Sequence, residues 1–261
     1  MSRIEKTFQS LNRPALVTFI TAGDPDADSS LSVLKALPNA GADIIEIGMP
    51  FTDPMADGPA IQHASERALA AGANMKQTLE MVRTFRDENT NTPIVLMGYI
   101  NPIFTYGIEK FTKDATEAGV DGLIVVDLPP EEDSELSAAT KDNNLDLIRL
   151  ITPTTDEARL GKLLEGASGF LYYVSITGVT GTASADLSKI KPHIAQIKSH
   201  TDLPIAIGFG IKTPEDVANM AQIGDAVVVG SAIVQNMAEG LKNDDLTEAI
   251  KTQVQSLSSA L

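Results

Sequence analysis

The chain has 261 residues, of which 43% are hydrophobic and 21% are charged, and its formal net charge is −15. These fractions are ordinary for a globular protein, and the length suits one domain, residues 1–261. A polyanion is repelled by nucleic acid and by anionic membrane surfaces, so both are excluded as partners. The absence of cysteine excludes disulfides, thiolate nucleophiles and Cys-ligated zinc. The three histidines, His63, His193 and His200, lack the close spacing of metal ligands, so no metal site is expected.

The first residues contain no apolar core of signal-peptide length, and no apolar run is long enough for a membrane-spanning helix. Both features favour a cytoplasmic protein.

Short, nearly continuously apolar runs alternate with longer amphipathic stretches, as in parallel strands covered on both faces. Eight such units favour a closed (β/α)8 TIM barrel, and an open doubly wound sheet is the alternative. Ile4–Leu11 predicts an extra N-terminal helix that caps the barrel floor. The predicted strands are Leu16–Thr21, Ile44–Met49, Ile94–Tyr99, Leu123–Asp127, Leu147–Ile151, Leu171–Ser175, Ile205–Phe209 and Ala226–Gly230.

Capping residues, prolines and glycines mark the ends of the helices between these strands. A Gly-Asp pattern recurs between helix and strand at Gly41-Ala42-Asp43, Gly119-Val120-Asp121 and Gly224-Asp225, which supports the repeat. Pro192 predicts a kink or a break in its helix. The predicted helices are Asp26–Leu37, Ile108–Ala118, one opened by Pro129 and Pro130, Asp156–Glu165, Ala185–Lys198, and one that starts at Thr213.

Glu46 is the least expected residue in the strands, because it lies inside an otherwise apolar run. Burial of a lone carboxyl group raises its pKa, and a raised pKa suits a general acid or base near neutral pH. The alternative is a buried glutamate paired with a basic side chain. Asp57 follows in a proline-rich loop, which could hold its carboxylate over the barrel mouth. The alternative is that Asp57 is a solvated aspartate that caps the next helix.

Three further residues of the predicted strands carry polar side chains. Tyr172 and Tyr173 are adjacent, so one should face the barrel interior and the other the helices. Asp127 ends the fourth predicted strand and is either a site residue or a helix cap.

Three late glycine-bearing turns, residues 178–181, 208–210 and 230–231, predict a phosphate site. Glycine lets backbone N–H groups converge on an anion, and these barrels commonly bind phosphate after strands seven and eight. A short helix after Gly230-Ser231 would point its N-terminus at the site. The alternative is that these glycines only form tight turns. The third glycine of a dinucleotide fingerprint is missing, which argues against NAD.

Residues 43–59 resemble the signature of the tryptophan synthase alpha family. Four further blocks agree in family order: residues 18–25, 97–102, 126–132 and the glycine turns of 178–181 with 208–210. The resemblance implies that Glu46 is the general acid and base and that Asp57 engages the indole N–H. It also implies that Phe19, Tyr99, Asp127, Tyr172 and Phe209 contact the substrate, and that Gly181, Gly210, Gly230 and Ser231 bind its phosphate.

The implied activity is that of a lyase: retro-aldol cleavage of indole-3-glycerol phosphate to indole and glyceraldehyde 3-phosphate. No cofactor is expected in this chain. The implied partner is a beta subunit that carries pyridoxal phosphate and uses the indole to make L-tryptophan, in an alpha2beta2 assembly. Residues 50–59 and 101–107 are the expected docking surface, because their apolar rim suits an interface.

One position departs from the family pattern, because Ile176 stands where many members have arginine. The segment Thr177–Asp186 is expected to form a lid. Two other functions stay open: another phosphate-binding barrel enzyme of aromatic amino-acid or histidine biosynthesis, and a non-catalytic phosphate-sensing or scaffold barrel.

Overall fold

The computed structural model describes residues 1–175, 187–208, 210–240 and 245–261, with only the backbone for residues 187–189. It contains one sheet in which all strand pairs are parallel. The strands are β1 Ala15–Thr21, β2 Ile44–Gly48, β3 Ile94–Gly98, β4 Gly122–Val125, β5 Asp146–Leu147, β6 Arg149–Ile151, β7 Leu171–Val174, β8 Ile205–Gly208 and β9 Ala226–Val229.

The sheet order β5-β4-β3-β2-β1-β9-β8-β7-β6 curls into a nearly closed barrel. Its two ends, β5 and β6, are separated only by Ile148, so they are two halves of the fifth barrel strand. One half pairs with β4 and the other with β7. The prediction of a (β/α)8 TIM barrel is therefore confirmed.

The helices surround the sheet and mostly end where the sequence predicts. Asp26 and Asp156 cap their helices, and Thr213 forms a capping box with Asp216. The helices are α1 Arg3–Ser10, α2 Ala27–Ala40, α3 Pro59–Ala70, α4 Met75–Arg86, α5 Ile100–Tyr106, α6 Ile108–Ala118, α7 Ser134–Asp142, α8 Glu157–Leu164, α9 Leu187–Lys198, α10 Pro214–Ala221, α11 Ser231–Gly240 and α12 Leu246–Ser258. None of the helices in the described ranges is long and apolar enough to cross a membrane.

Two helix predictions are revised by the structure. The helix α9 runs without a break through Pro192, so of the two predicted outcomes the break is wrong and the kink stays a prediction. Burial of Ile190, Ile194 and Ile197 on one face of α9 outweighs the one hydrogen bond that proline removes. Pro130–Glu132 forms a separate 3-10 turn rather than the start of α7.

The core has an inner and an outer layer. Alternate strand residues fill the barrel interior, and the others pack against the helices. Ile4 of α1 is fully buried against the interior layer, so the predicted helical cap of the barrel floor is confirmed.

The recurring Gly-Asp pattern has a structural role at this floor. Gly41 and Gly119 end their helices in the left-handed conformation. The carboxylates of Asp43, Asp121 and Asp225 then accept hydrogen bonds from the N–H groups of Leu16, Ile94 and Ile205, at 2.7, 2.8 and 2.9 Å. Each aspartate thereby fixes the start of a neighbouring strand.

Candidate active site

Glu46 lies at the centre of the barrel. It pairs in register with Phe19 on β1 and Val95 on β3, and only 1% of its surface is exposed. Neither carboxyl oxygen has a hydrogen-bond partner among the described residues. Because burial disfavours the charged form, the pKa of Glu46 is raised to about 8. Within the described ranges, the alternative of a structural ion pair with a basic side chain is wrong.

Tyr172 and Phe19 share the barrel interior with Glu46, and two strand glycines make room for their rings. A Cβ at Gly208 would lie 2.2 Å from the Tyr172 hydroxyl oxygen, and one at Gly48 would lie 2.5 Å from the tip of the Phe19 ring. Burial raises the pKa of Tyr172 well above its usual value, and the charges of Glu46 and Asp57 raise it further. The phenol is therefore a neutral hydrogen-bonding group close to both carboxyls. Tyr173 faces the outer layer, where its hydroxyl lies 3.0 Å from His193 Nδ1.

Replacement of Gly208 by alanine should misplace Tyr172. The added methyl group forces the hydroxyl to move by roughly 1 Å, and misplacement on that scale lowers turnover by about 10- to 100-fold. Steady-state kinetics of Gly208→Ala would measure the effect. Gly161→Ala on exposed α8, where no atom lies within 4 Å of the new Cβ, is the matched control and should keep wild-type turnover. Equal turnover in both variants would show that the position of Tyr172 does not matter.

Asp57 and Tyr99 form a hydrogen-bonded pair at the barrel mouth. The Tyr99 hydroxyl donates to Asp57 Oδ2 at 2.9 Å and accepts from the backbone N–H of Ala56 at 3.0 Å. Burial raises the pKa of Asp57 to about 6, although the bond from Tyr99 lowers it in part. The following helix is capped at Gly58 without a side-chain hydrogen bond, so Asp57 is not its cap.

Asp127 supports the same region from the segment that follows β4, two residues beyond the end of the strand. Its Oδ1 accepts a hydrogen bond of 2.9 Å from the N–H of Ile100, the first residue of α5. From the sequence, Asp127 could be a site residue or a helix cap. The contact with Ile100 is that of a cap on a neighbouring helix. The charge of Asp127 also contributes to the raised pKa of Tyr99.

A pocket of about 50 Å³ brings six of the predicted site residues together, whereas Asp57, Tyr99 and Asp127 do not line it. Gly210 has a φ of +80°, a conformation that favours glycine. Ser231 opens α11, whose first N–H groups have no partner within the helix and can bind an anion. The lining residues are Phe19, Glu46, Ile61, Met97, Tyr172, Gly210, Ile211, Lys212, Val228, Gly230 and Ser231.

Lys212 also lines this pocket, although it was not among the predicted site residues. Lys212 follows Gly210 by two residues, so its place after a predicted phosphate turn was a usable signal. Lys212 thus brings a positively charged residue to the same pocket as Gly230 and Ser231. Two predicted site residues, Phe209 and Gly181, lie outside the described residues, as do Ile176 and the predicted lid.

A larger cavity, with about 1050 Å³ of empty space, lies at the opposite end of the barrel beside α1. Arg13 and Lys198 line it, and both are paired with aspartates of the floor. Chemistry in this fold occurs at the carboxyl ends of the strands, so we assign the smaller pocket around Glu46 as the candidate site.

The fold and the pocket define the class of protein: a (β/α)8 barrel with a buried, unpartnered carboxyl group in a pocket lined by glycine-bearing turns and a lysine. Residues 6–261 match the family model described as tryptophan synthase alpha chain. The chain therefore belongs to the tryptophan synthase alpha chain family.

Solved structures agree with this assignment. The tryptophan synthase alpha chain of Legionella pneumophila is 41% identical, with a TM-score of 0.92 over 100% of this chain and 97% of that one. A protein of Aquifex aeolicus VF5 is 38% identical, with a TM-score of 0.91 over 100% and 99%. Tryptophan synthase of M. tuberculosis is 32% identical, with a TM-score of 0.89 over 100% and 99%.

The chain is thus a lyase of tryptophan biosynthesis that cleaves indole-3-glycerol phosphate. The family's alpha subunit carries no cofactor, and pyridoxal phosphate belongs to the beta subunit, with which it forms alpha2beta2 complexes. The comparisons give no support to a non-catalytic barrel or to another phosphate-binding barrel enzyme.

Proposed function

We propose that Glu46 transfers both protons of the cleavage reaction. Its carboxyl group donates a proton to C3 of the indole ring, and the resulting carboxylate then accepts the proton of the substrate hydroxyl. As that proton leaves, the carbonyl group of glyceraldehyde 3-phosphate forms and the carbon–carbon bond electrons return to the indole ring. The observation that carries this role is the complete burial of an unpartnered carboxyl group with a pKa of about 8.

Asp57 is proposed to stabilise the intermediate. Protonation at C3 leaves a positive charge on the indole nitrogen, and a carboxylate near its N–H forms a charge-assisted hydrogen bond. Asp57 must be ionised for this role, and a pKa of about 6 leaves it so at neutral pH. Glu46 and Asp57 thereby occupy opposite protonation states at pH 7, as an acid and its electrostatic partner require.

The remaining side chains are proposed to bind the substrate. The backbone of Gly181, Gly210, Gly230 and Ser231 would hold the phosphate, with Lys212 beside it. A fixed phosphate positions the glycerol arm for cleavage without taking part in the chemistry. Side chains proposed to contact the rest of the substrate are Phe19, Tyr99, Asp127, Tyr172 and Phe209.

The surface formed by residues 50–59 and 101–107 is proposed to dock the beta subunit. Met55 and Phe104 lie there with 76% and 52% of their surfaces exposed. Large apolar side chains at that exposure suit burial by a partner. We also assign the chain to the cytoplasm, because it has no cysteine and belongs to a biosynthetic family.

The pH dependence of kcat/KM tests the two carboxyl roles. Activity requires ionised Asp57 and protonated Glu46, so the profile should be bell-shaped with limbs near pH 6 and pH 8. Below pH 6 the protonated Asp57 no longer stabilises the intermediate, and above pH 8 the ionised Glu46 no longer donates a proton. The measurement is indole formation at limiting substrate across pH 5–10.

Asp57→Asn provides the control, because the substrate phosphate also titrates near pH 6. An acidic limb that disappears in this variant belongs to Asp57. A wild-type profile that stays flat from pH 7 to pH 10 would contradict the role of Glu46 as the acid.

A further inference from the structure

The helix α3 begins directly after Asp57 and holds it by the backbone. Residues 49–58, between β2 and α3, form neither helix nor strand, so β2 alone does not fix the place of Asp57. Gln62, near the start of α3, donates a hydrogen bond from Nε2 to the Asp57 carbonyl oxygen at 2.8 Å. Ile61 lines the candidate site and belongs to the same apolar cluster as Phe19. The place of α3 therefore helps to set the place of Asp57.

An ion pair fastens α3 to the loop that follows β1. Arg67 of α3 donates from Nε to Asp24 Oδ1 at 2.7 Å and from Nη2 to Asp24 Oδ2 at 2.8 Å. Only 1% of the Asp24 side chain is exposed, against 28% for Arg67. Burial raises the pKa of Asp24, and the hydrogen bonds and the charge of Arg67 counteract that rise. Two parallel hydrogen bonds fix both the distance and the orientation of the helix relative to the loop.

The loop of residues 22–25 is itself firmly held. The N–H of Gly23 donates to the hydroxyl oxygen of Ser30, a fully buried residue of α2, at 3.1 Å. Gly23 has a φ of +77°, and a Cβ there would lie 2.8 Å from the Cβ of Ala73, in the turn that follows α3. The preceding strand β1 pairs with β2 on one side and with β9 on the other. The loop therefore gives α3 a fixed support at the carboxyl ends of the barrel strands.

Neither Asp24 nor Arg67 lines the pocket around Glu46, so the pair can affect the reaction only through other residues. Building on the proposed role of Asp57, we propose that Arg67 and Asp24 are positioning residues for the cleavage reaction. Their ion pair holds α3 in place, and α3 holds the Asp57 backbone through Gln62. A displacement of about 1 Å would move the Asp57 carboxylate relative to the indole N–H and lower turnover by about 10- to 100-fold.

The variants Arg67→Gln and Arg13→Gln form a matched pair. Arg13 also donates two hydrogen bonds to an aspartate, Asp43, at 2.7 and 3.1 Å, but at the barrel floor. Its side chain is 32% exposed, close to the value for Arg67. Only Arg67→Gln should lower kcat, by about 10-fold or more with little change in KM, because only its helix carries Asp57. A kcat for Arg67→Gln equal to that of Arg13→Gln, per folded molecule by circular dichroism, would overturn the proposal.

Asp24→Asn tests the pair from its other side. Asparagine keeps one acceptor oxygen for Arg67, so this variant provides the test even where Arg67→Gln does not fold. It should show the same loss of kcat at nearly unchanged KM. Wild-type kcat in Asp24→Asn would count against the proposal as directly as wild-type kcat in Arg67→Gln.

A double-mutant cycle with Asp57→Asn separates the positioning of Asp57 from a general effect on the fold. Where Arg67 acts through Asp57, Arg67→Gln should lower kcat by less than about three-fold in the Asp57→Asn background. The full loss in that background would overturn the proposal. Wild-type kcat for Asp57→Asn alone would refute the catalytic role of Asp57 and the positioning with it. An impaired Asp57→Asn beside an unimpaired Arg67→Gln would refute the positioning only.

Discussion

Replacement of Glu46 by glutamine should lower kcat for indole release by about 10³- to 10⁴-fold, because glutamine keeps the size of the side chain but cannot transfer a proton. Substrate binding should change little, since the groups proposed to bind the phosphate are backbone groups of other residues of the pocket. Single-turnover cleavage and equilibrium binding of indole-3-glycerol phosphate measure the two effects separately. Turnover within ten-fold of the wild type would remove Glu46 from the mechanism.

The stability of this variant provides the control. The folded-state pKa of about 8 exceeds the ordinary value of 4.5, so the folded protein keeps a proton that the unfolded chain has lost between these pH values. The stability of the wild type therefore falls as pH rises from about 4.5 to 8. Glu46→Gln removes this dependence and should be more stable than the wild type at pH 8, by up to about 4 kcal/mol. A loss of activity together with this gain in stability excludes misfolding as the cause.

Replacement of Asp57 by asparagine should lower kcat/KM by roughly 10²- to 10³-fold. The variant keeps a hydrogen-bond acceptor for the indole N–H but loses the negative charge that stabilises the cationic intermediate. The fold should be unaffected, because among the described residues the Asp57 side chain bonds only Tyr99, and the amide oxygen can still accept from that hydroxyl. Steady-state kinetics at pH 7 give the measurement.

Asp28→Asn is the matched control for Asp57→Asn. It removes one negative charge from an exposed position in the first turn of α2, on the same face of the barrel. Equal losses in the two variants would mean that net charge matters rather than the position of Asp57. Tyr99→Phe adds a second check: without the hydrogen bond that lowers the pKa of Asp57, the acidic limb of the profile should move to higher pH.

The elements were predictable from local patterns, because burial on both faces makes each parallel strand a continuous apolar run. Glu46 stood out for the same reason, since a carboxyl group in such a run has few structural explanations. The division of the fifth strand at Ile148 was not predictable. The division follows from the neighbouring strands, because β4 pairs with the first half of the fifth strand and β7 pairs with the second half.

The partners of the site residues also depended on the tertiary structure. The bond between Tyr99 and Asp57 joins residues 42 positions apart, and Asp127 caps a helix 27 positions away. No local rule connects such pairs. The helix α9 continues through Pro192 because its buried face matters more than one missing backbone donor.

The net charge of −15 would repel a phosphorylated substrate if those negative charges lay at the pocket. The pocket instead presents backbone donors at the N-terminus of α11 and the ammonium group of Lys212. Local dipoles and one nearby cation dominate over distant surface charge, which salt screens within about 8–10 Å.

Indole release from indole-3-glycerol phosphate by the purified chain, with and without a beta subunit, tests the central claim most directly. The site described above predicts that indole and glyceraldehyde 3-phosphate appear in equal amounts, and that the rate rises when the beta subunit is added. No indole under either condition would contradict the account, because a folded barrel with Glu46 and Asp57 in place would then lack the activity that their geometry implies.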